Sequence, residues 1–167
     1  NIGENEISDG EAYHRALYID GDIERPVDWH RDSAEMLVQL AIPQIKNGSL
    51  VVDYGSGTGG SAIELLKEVE NRGIEIDLVL IDPLVSWFSK ARDLLNSRPN
   101  VHFELSIEED DSGKSSFRRL DSILGGRKAD IIISSSTIHL IPERAIRDLA
   151  SQFAGSLQKE GFLSGIA

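Results

Sequence analysis

The chain has 167 residues, no cysteine, and 17 Lys+Arg against 28 Asp+Glu, a formal net charge of −11. That length suits one domain with its own buried core. The lack of cysteine excludes disulfides, thiolate metal sites and cysteine nucleophiles, and the negative charge opposes phosphate backbones and anionic membrane surfaces. No apolar run approaches the ~20 residues of a membrane span, and no signal-peptide pattern opens the chain. The expectation is a cytoplasmic protein with no nucleic-acid or membrane partner.

Residues 1–32 hold nine acids and three arginines with little periodicity, which predicts an irregular or short-helical arm. Asp32 or Ser33 caps a helix to about Ile45, with Met36, Leu37, Leu40 and Ala41 on one side. Pro43 disturbs its last turn and Asn47-Gly48 ends it. Leu50-Val51-Val52 is a buried strand, Ser61–Glu70 a helix, and Leu78–Ile81 a second buried strand. Pro83 opens a helix bearing Leu84, Trp87, Phe88, Ala91, Leu94 and Leu95. Val101–Leu105 is a third strand, 106–114 a polar loop, and Ser116–Leu124 a short helix stopped by Gly125-Gly126. Ile131–Ile133 is the fourth strand, Pro142 opens the next helix, and a fifth strand follows Gly161. Strands that are apolar throughout and alternate with helices predict an α/β fold. The expected form is a doubly wound, Rossmann-like, mostly parallel sheet flanked by helices and ending in its fifth strand.

The chemistry concentrates at Asp53-Tyr54-Gly55-Ser56-Gly57-Thr58-Gly59-Gly60, between the first strand and its helix. Glycines there permit a tight turn and close ligand approach, and the helix start offers free N–H groups. Gly55, Gly57 and Gly60 satisfy the dinucleotide spacing, and Asp82 ends the second strand where an acid takes ribose hydroxyls. Both features suit a nicotinamide cofactor and S-adenosylmethionine alike. Asp53 separates them. A carboxylate aimed at a pyrophosphate is repelled, whereas it complements an ammonium or sulfonium cation.

From Leu50 to Ala167 the chain resembles the class I S-adenosylmethionine-dependent methyltransferases acting on small molecules. Asp53, Gly55, Gly57 and Gly59 match the family's first motif, Ile81-Asp82-Pro83 its second-strand end, and Asp130–Leu140 its fourth-strand segment with a hydrophobic-His-hydrophobic turn. The resemblance implies that S-adenosylmethionine, with product S-adenosylhomocysteine, is held by Asp53, Gly55, Ser56, Gly57, Asp82, Pro83 and Ser134. The adenine-binding acid of the family aligns with Ile107, so Ile107, Glu108 or a backbone amide takes that role. The family's sheet continues past the fifth strand. The chain is therefore expected to be incomplete at its C-terminus, or to meet a dimer partner or further segment on that edge.

The expected division is an arm and helix over 1–48, acting as substrate lid, and a cofactor-binding core over 49–167. Tyr13, Tyr18, Trp29, Ser135 and Thr137 are the candidate substrate residues. His139 and His30 are either packing and surface histidines or the general base that a hydroxyl substrate needs. Asp20, Asp22 and Glu24 lack the glycine and closing glutamate of a calcium loop, so no metal is expected. The expected function is methyl transfer to a small-molecule or carrier-bound metabolite. A non-catalytic module binding the nucleoside or a partner is the rival, and a nicotinamide-binding oxidoreductase domain the third reading.

Overall fold

The computed structural model describes residues 16–19, 25–84, 87, 91–93, 95, 97–113, 115–135, 137, 141 and 143–166. Five strands form one parallel sheet: β1 (Ser49–Tyr54), β2 (Ile76–Asp82), β3 (Val101–Leu105), β6 (Ala129–Ser135) and β7 (Leu157–Ile166), in the order β3-β2-β1-β6-β7. β1 lies centrally, with Asp53 in register with Leu80 on β2 and with Ile133 on β6. The order reverses direction at β1, which opens a crevice at the carboxyl ends of β1 and β6.

Both faces of the sheet are covered, which explains the unbroken apolar strands. On one face Val51, Leu78, Leu80, Ile131 and Ile133 pack with Leu37, Val38 and Ala41 of α1 (Asp28–Ala41) and Leu65, Leu66 and Val69 of α2 (Gly60–Asn71). On the other, Val52, Tyr54, Val79, Ile81 and Ile132 meet Leu120 and Ile123 of α3 (Leu120–Ile123) and Leu149 and Phe153 of α4 (Glu143–Ser156). The alternation of Cβ directions sorts each strand's residues between the two layers. Ala91 and Leu95, both helical, bury in the first layer.

Four local expectations are corrected. α1 starts at Asp28 rather than Asp32 or Ser33, after an extended Val27. Asp28 favours the helix N-terminus electrostatically, and Arg31 pairs with Asp28, Asp32 and Glu35, so this acidic stretch is helical. Residues 106–117 are not a loop running into a helix. Ile107–Glu109 (β4) and Ser115–Phe117 (β5) form an antiparallel hairpin. Its turn is set by Asp110, whose carboxylate accepts the Ser112 N–H, and by Gly113 at φ 76°. The helix expected from Ser116 shrinks to Leu120–Ile123. β7 begins at Leu157, before Gly161, because it pairs with β6 from Ala129 onward through an irregularity ahead of Ile131.

Candidate functional site at the carboxyl ends of β1, β2 and β6

β1 ends in a turn whose backbone only glycine adopts readily. Gly55, Gly57 and Gly59 all have positive φ, at 77°, 54° and 89°. The Gly55 and Ser56 N–H groups both donate to the Ile81 carbonyl, at 2.7 and 3.1 Å, tying the loop to the end of β2. Gly59 then caps α2 with no side-chain acceptor for the first N–H groups of that helix. A Cβ on Gly55 would lie 2.2 Å from Thr137 Oγ1 and Cγ2. The loops after β1 and β6 therefore touch. Thr137 Oγ1 lies 3.0 Å from the Gly55 carbonyl and 2.9 Å from that of Ser135, and its one proton serves either.

Asp53 shares its sheet face with Val51, and Asp82 shares the same face with Leu78 and Leu80. Both carboxyls are buried, 1% and 2% exposed. They differ in their partners. Asp82 Oδ2 accepts the Gly57 N–H at 2.9 Å and Oδ1 the Leu84 N–H at 2.9 Å, so Asp82 braces the glycine loop and caps the turn after β2. Asp53 Oδ2 has no hydrogen-bond partner. Burial pushes Asp53 up to about 7, with the neighbouring Asp82 adding to the rise. Burial also pushes Asp82 up to about 7, against the lowering by its two amide bonds.

The arm reaches this loop. Leu17–Ile19 runs antiparallel to Arg25–Val27, closed by hydrogen bonds from Ile19 N–H to the Arg25 carbonyl and from Val27 N–H to the Leu17 carbonyl. That places the Tyr18 hydroxyl 2.7 Å from Thr58 Oγ1 and 3.3 Å from His30 Nε2. His30 is buried rather than superficial, and burial lowers its pKa, so its imidazole is neutral near pH 7. Its ring packs edge-on against Tyr18 and Trp29. Burial raises the Tyr18 pKa, the Thr58 bond opposes that, and the Asp53 charge adds to it, which puts the tyrosine within the field of the acid.

The other sequence candidates take distinct places. Ser134 and Ser135 are buried at the end of β6, and Pro83 is half-buried after Asp82. Trp29 is half-exposed. Ile107 starts β4 opposite Phe117, with Glu108 exposed beside it. The N–H of Ser106, just before them, donates to the Asp82 carbonyl, which ties the hairpin to the end of β2. Tyr13 and His139, and the acids at 20, 22 and 24, lie outside the described residues. Thr58 was missing from the sequence candidates. Only its place inside the glycine run marks it, and nothing local couples it to a tyrosine 40 residues earlier.

Asp53 Oδ2, Ser56 Oγ, Ser134 Oγ and Ser135 Oγ are buried at these strand ends without hydrogen-bond partners, as is Nδ1 of His30. Each such atom costs about 1–3 kcal/mol if left dry. A cluster of them beside a free helix N-terminus matches a polar ligand with a cationic group for Asp53. Among the described residues no group of three or more His, Asp or Glu could hold a metal. No described helix is long and apolar enough to cross a membrane.

No family model matches the chain, and no curated protein is significantly similar to it in sequence. Solved structures do match. Phosphoethanolamine N-methyltransferase 1 of Haemonchus contortus, with phosphoethanolamine and S-adenosylhomocysteine, aligns over 96% of this chain and 31% of its own, at 12% identity and TM-score 0.65. The CMeT domain of the citrinin polyketide synthase aligns over 93% of this chain and 38% of its own, at 17% and 0.61. The glycopeptide N-methyltransferase MtfA with sinefungin aligns over 83% and 56%, at 18% and 0.56. The fold is that of the class I S-adenosylmethionine-dependent methyltransferases. The chain spans between about a third and just over half of the length of those structures.

Proposed function

We propose that this chain binds S-adenosylmethionine and transfers its methyl group to a small-molecule or carrier-bound metabolite. The observation that carries the reading is Asp53, a buried carboxylate at the glycine turn with an unpartnered oxygen. When ionised, it complements a cationic amino-acid moiety and repels a pyrophosphate. The resemblance to methyltransferase structures supports the same reading.

When bound, S-adenosylmethionine supplies an electrophilic methyl carbon. The rest is positioning by the chain's own groups. Asp53 and the N–H groups at the start of α2 hold the amino-acid portion. Asp82, fixed by Gly57 and Leu84, keeps the loop closed on the nucleoside and offers its remaining acceptor capacity to ribose. Ile107 or Glu108 meets the adenine. Tyr18, bonded to Thr58, holds the arm over the loop and excludes water. On the acceptor side, Trp29, Ser135 and Thr137 border the crevice, with Tyr13 and His139 as further candidates. If His30 donates from Nε2 to Tyr18, its neutral ring leaves Nδ1 as a bare acceptor for a substrate proton.

Titration calorimetry tests the reading. S-adenosylhomocysteine should bind and NAD should not, and the reverse result overturns it. Turnover is then read from transfer of a labelled methyl group to pools of small amines and hydroxyl compounds. Tight nucleoside binding without transfer to any pool would instead favour a non-catalytic module.

A further inference from the structure

Among the described residues no cation pairs with Asp53, and Asp82 likewise takes part in no ion pair. Asp53 stands between Leu80 and Ile133 in the sheet, under the apolar layer of α1 and α2. Asp82 projects from the same face one strand over and is held there by two backbone N–H groups. Two carboxylates in one dry enclosure without a counter-charge do not both ionise. Asp82 has the hydrogen bonds that suit a charged acceptor, and Asp53 has none on Oδ2, which leaves that oxygen as the place for a proton.

We infer that Asp53 carries a proton in the unliganded protein and releases it to solvent when a cationic ligand binds, so that cofactor binding is an exchange of a proton for an ammonium group. The inference rests on the methyltransferase reading for the identity of the ligand. The reaction balances simply: the Asp53 O–H bond breaks, the proton leaves to buffer, and the ligand's ammonium takes its place as counter-charge. The other described titratable groups facing the enclosure do not substitute for it. Tyr18 on the arm is a phenol whose burial holds it protonated, and His30 on α1 is a neutral imidazole. Tyr54 points into the opposite layer, and its hydroxyl is pushed up to about 12 by burial and by Asp82. β6 contributes Ile133, Ser134 and Ser135, and the start of α2 contributes Gly60 and Ser61, none of which titrates. Burial raises Asp53 and Asp82 alike, so the place of the shared proton follows from the hydrogen bonds: two amide donors on Asp82 and none on Asp53 Oδ2.

The consequence is a definite pH dependence. Affinity should be flat above the midpoint of Asp53 and fall up to about tenfold for each pH unit below it. Calorimetry of the full chain at about pH 6, in buffers of low and high ionisation enthalpy, reads the protons released per ligand bound. S-adenosylhomocysteine should release close to one proton. Methylthioadenosine, which has the same nucleoside and thioether but no ammonium, should release none. In Asp53→Asn the release for S-adenosylhomocysteine should vanish. Infrared difference spectra give a reading without calorimetry: a carboxylic-acid carbonyl band of the unliganded protein should be lost on binding, and Asp53→Asn should lack it. Binding with no proton release, or equal release with both ligands, overturns the exchange while leaving the cofactor assignment standing. Failure of S-adenosylhomocysteine to bind overturns the cofactor assignment and the exchange together, and persistence of the carbonyl band in Asp53→Asn overturns the assignment of the proton to Asp53.

Discussion

Replacing Gly55 with alanine tests whether the loops after β1 and β6 are built against each other. Gly55 has φ 77°, a conformation that costs an L-residue roughly 1–2 kcal/mol. Its added Cβ would fall 2.2 Å from Thr137 Oγ1 and Cγ2 and 2.5 Å from Thr137 Cβ. Ordinary carbon contacts lie near ~3.5–4.0 Å, so Thr137 has to move. Moving it breaks its hydroxyl bond to the Gly55 or Ser135 carbonyl, about 1 kcal/mol, and the overpacking adds about 1–3 kcal/mol. The single substitution should therefore destabilise the unliganded protein by roughly 3–6 kcal/mol. In a Thr137→Gly background the obstacle is gone, and only the roughly 1–2 kcal/mol of backbone strain should remain. Urea denaturation of the four proteins, with unchanged m-values, gives the coupling, expected at about 2–4 kcal/mol. Costs that add to within about 0.5 kcal/mol would show that Thr137 does not abut the glycine turn, and the site geometry described above would be wrong.

Three further outcomes follow from the same side chains. Asp53 has a raised folded pKa, so the unliganded wild type loses stability as pH climbs from the unfolded value of 3.8 to about 7. Asp53→Asn removes that loss. Its stability advantage should grow by up to about 4 kcal/mol across that window, and parallel pH profiles in denaturant melts would refute it. Tyr18→Phe should cost about 1–2 kcal/mol and speed amide exchange at Gly59 and Gly60, and adding Thr58→Ala should change little more, because the bond between the two hydroxyls is already lost. Asp82→Ala leaves the Gly57 and Leu84 N–H groups without acceptors and should lower the unliganded melting temperature by the equivalent of about 2–5 kcal/mol. An acid that served only the ribose would leave that temperature unchanged.

Local pattern determined the strands, because a buried parallel strand must be apolar on both sides, and Val51, Val52, Leu78–Ile81 and Ile131–Ile133 show that without reference to any neighbour. The glycine turn was legible for a similar reason, since positive φ at Gly55, Gly57 and Gly59 restricts those positions to glycine. The hairpin at 107–117 was not legible, because its strands are three residues long and hydrophilic and form only by pairing with each other. The start of α1 was hidden among acids whose cost is offset by Arg31 and the helix dipole. At the site, the sequence identified Asp53 and Asp82 as acids at strand ends but not their division of labour. Which of them meets backbone N–H groups depends on Gly57 lying over β2, a contact across 25 residues. The same limit applies to Tyr18, Thr58 and His30. Each is unremarkable in its own segment, and a buried hydrogen-bonded chain exists only once α1 and α2 pack side by side and bring the arm onto the glycine loop. Sequence fixes what each backbone segment can adopt; the burial and partners that set a side chain's chemistry arise only when distant segments meet.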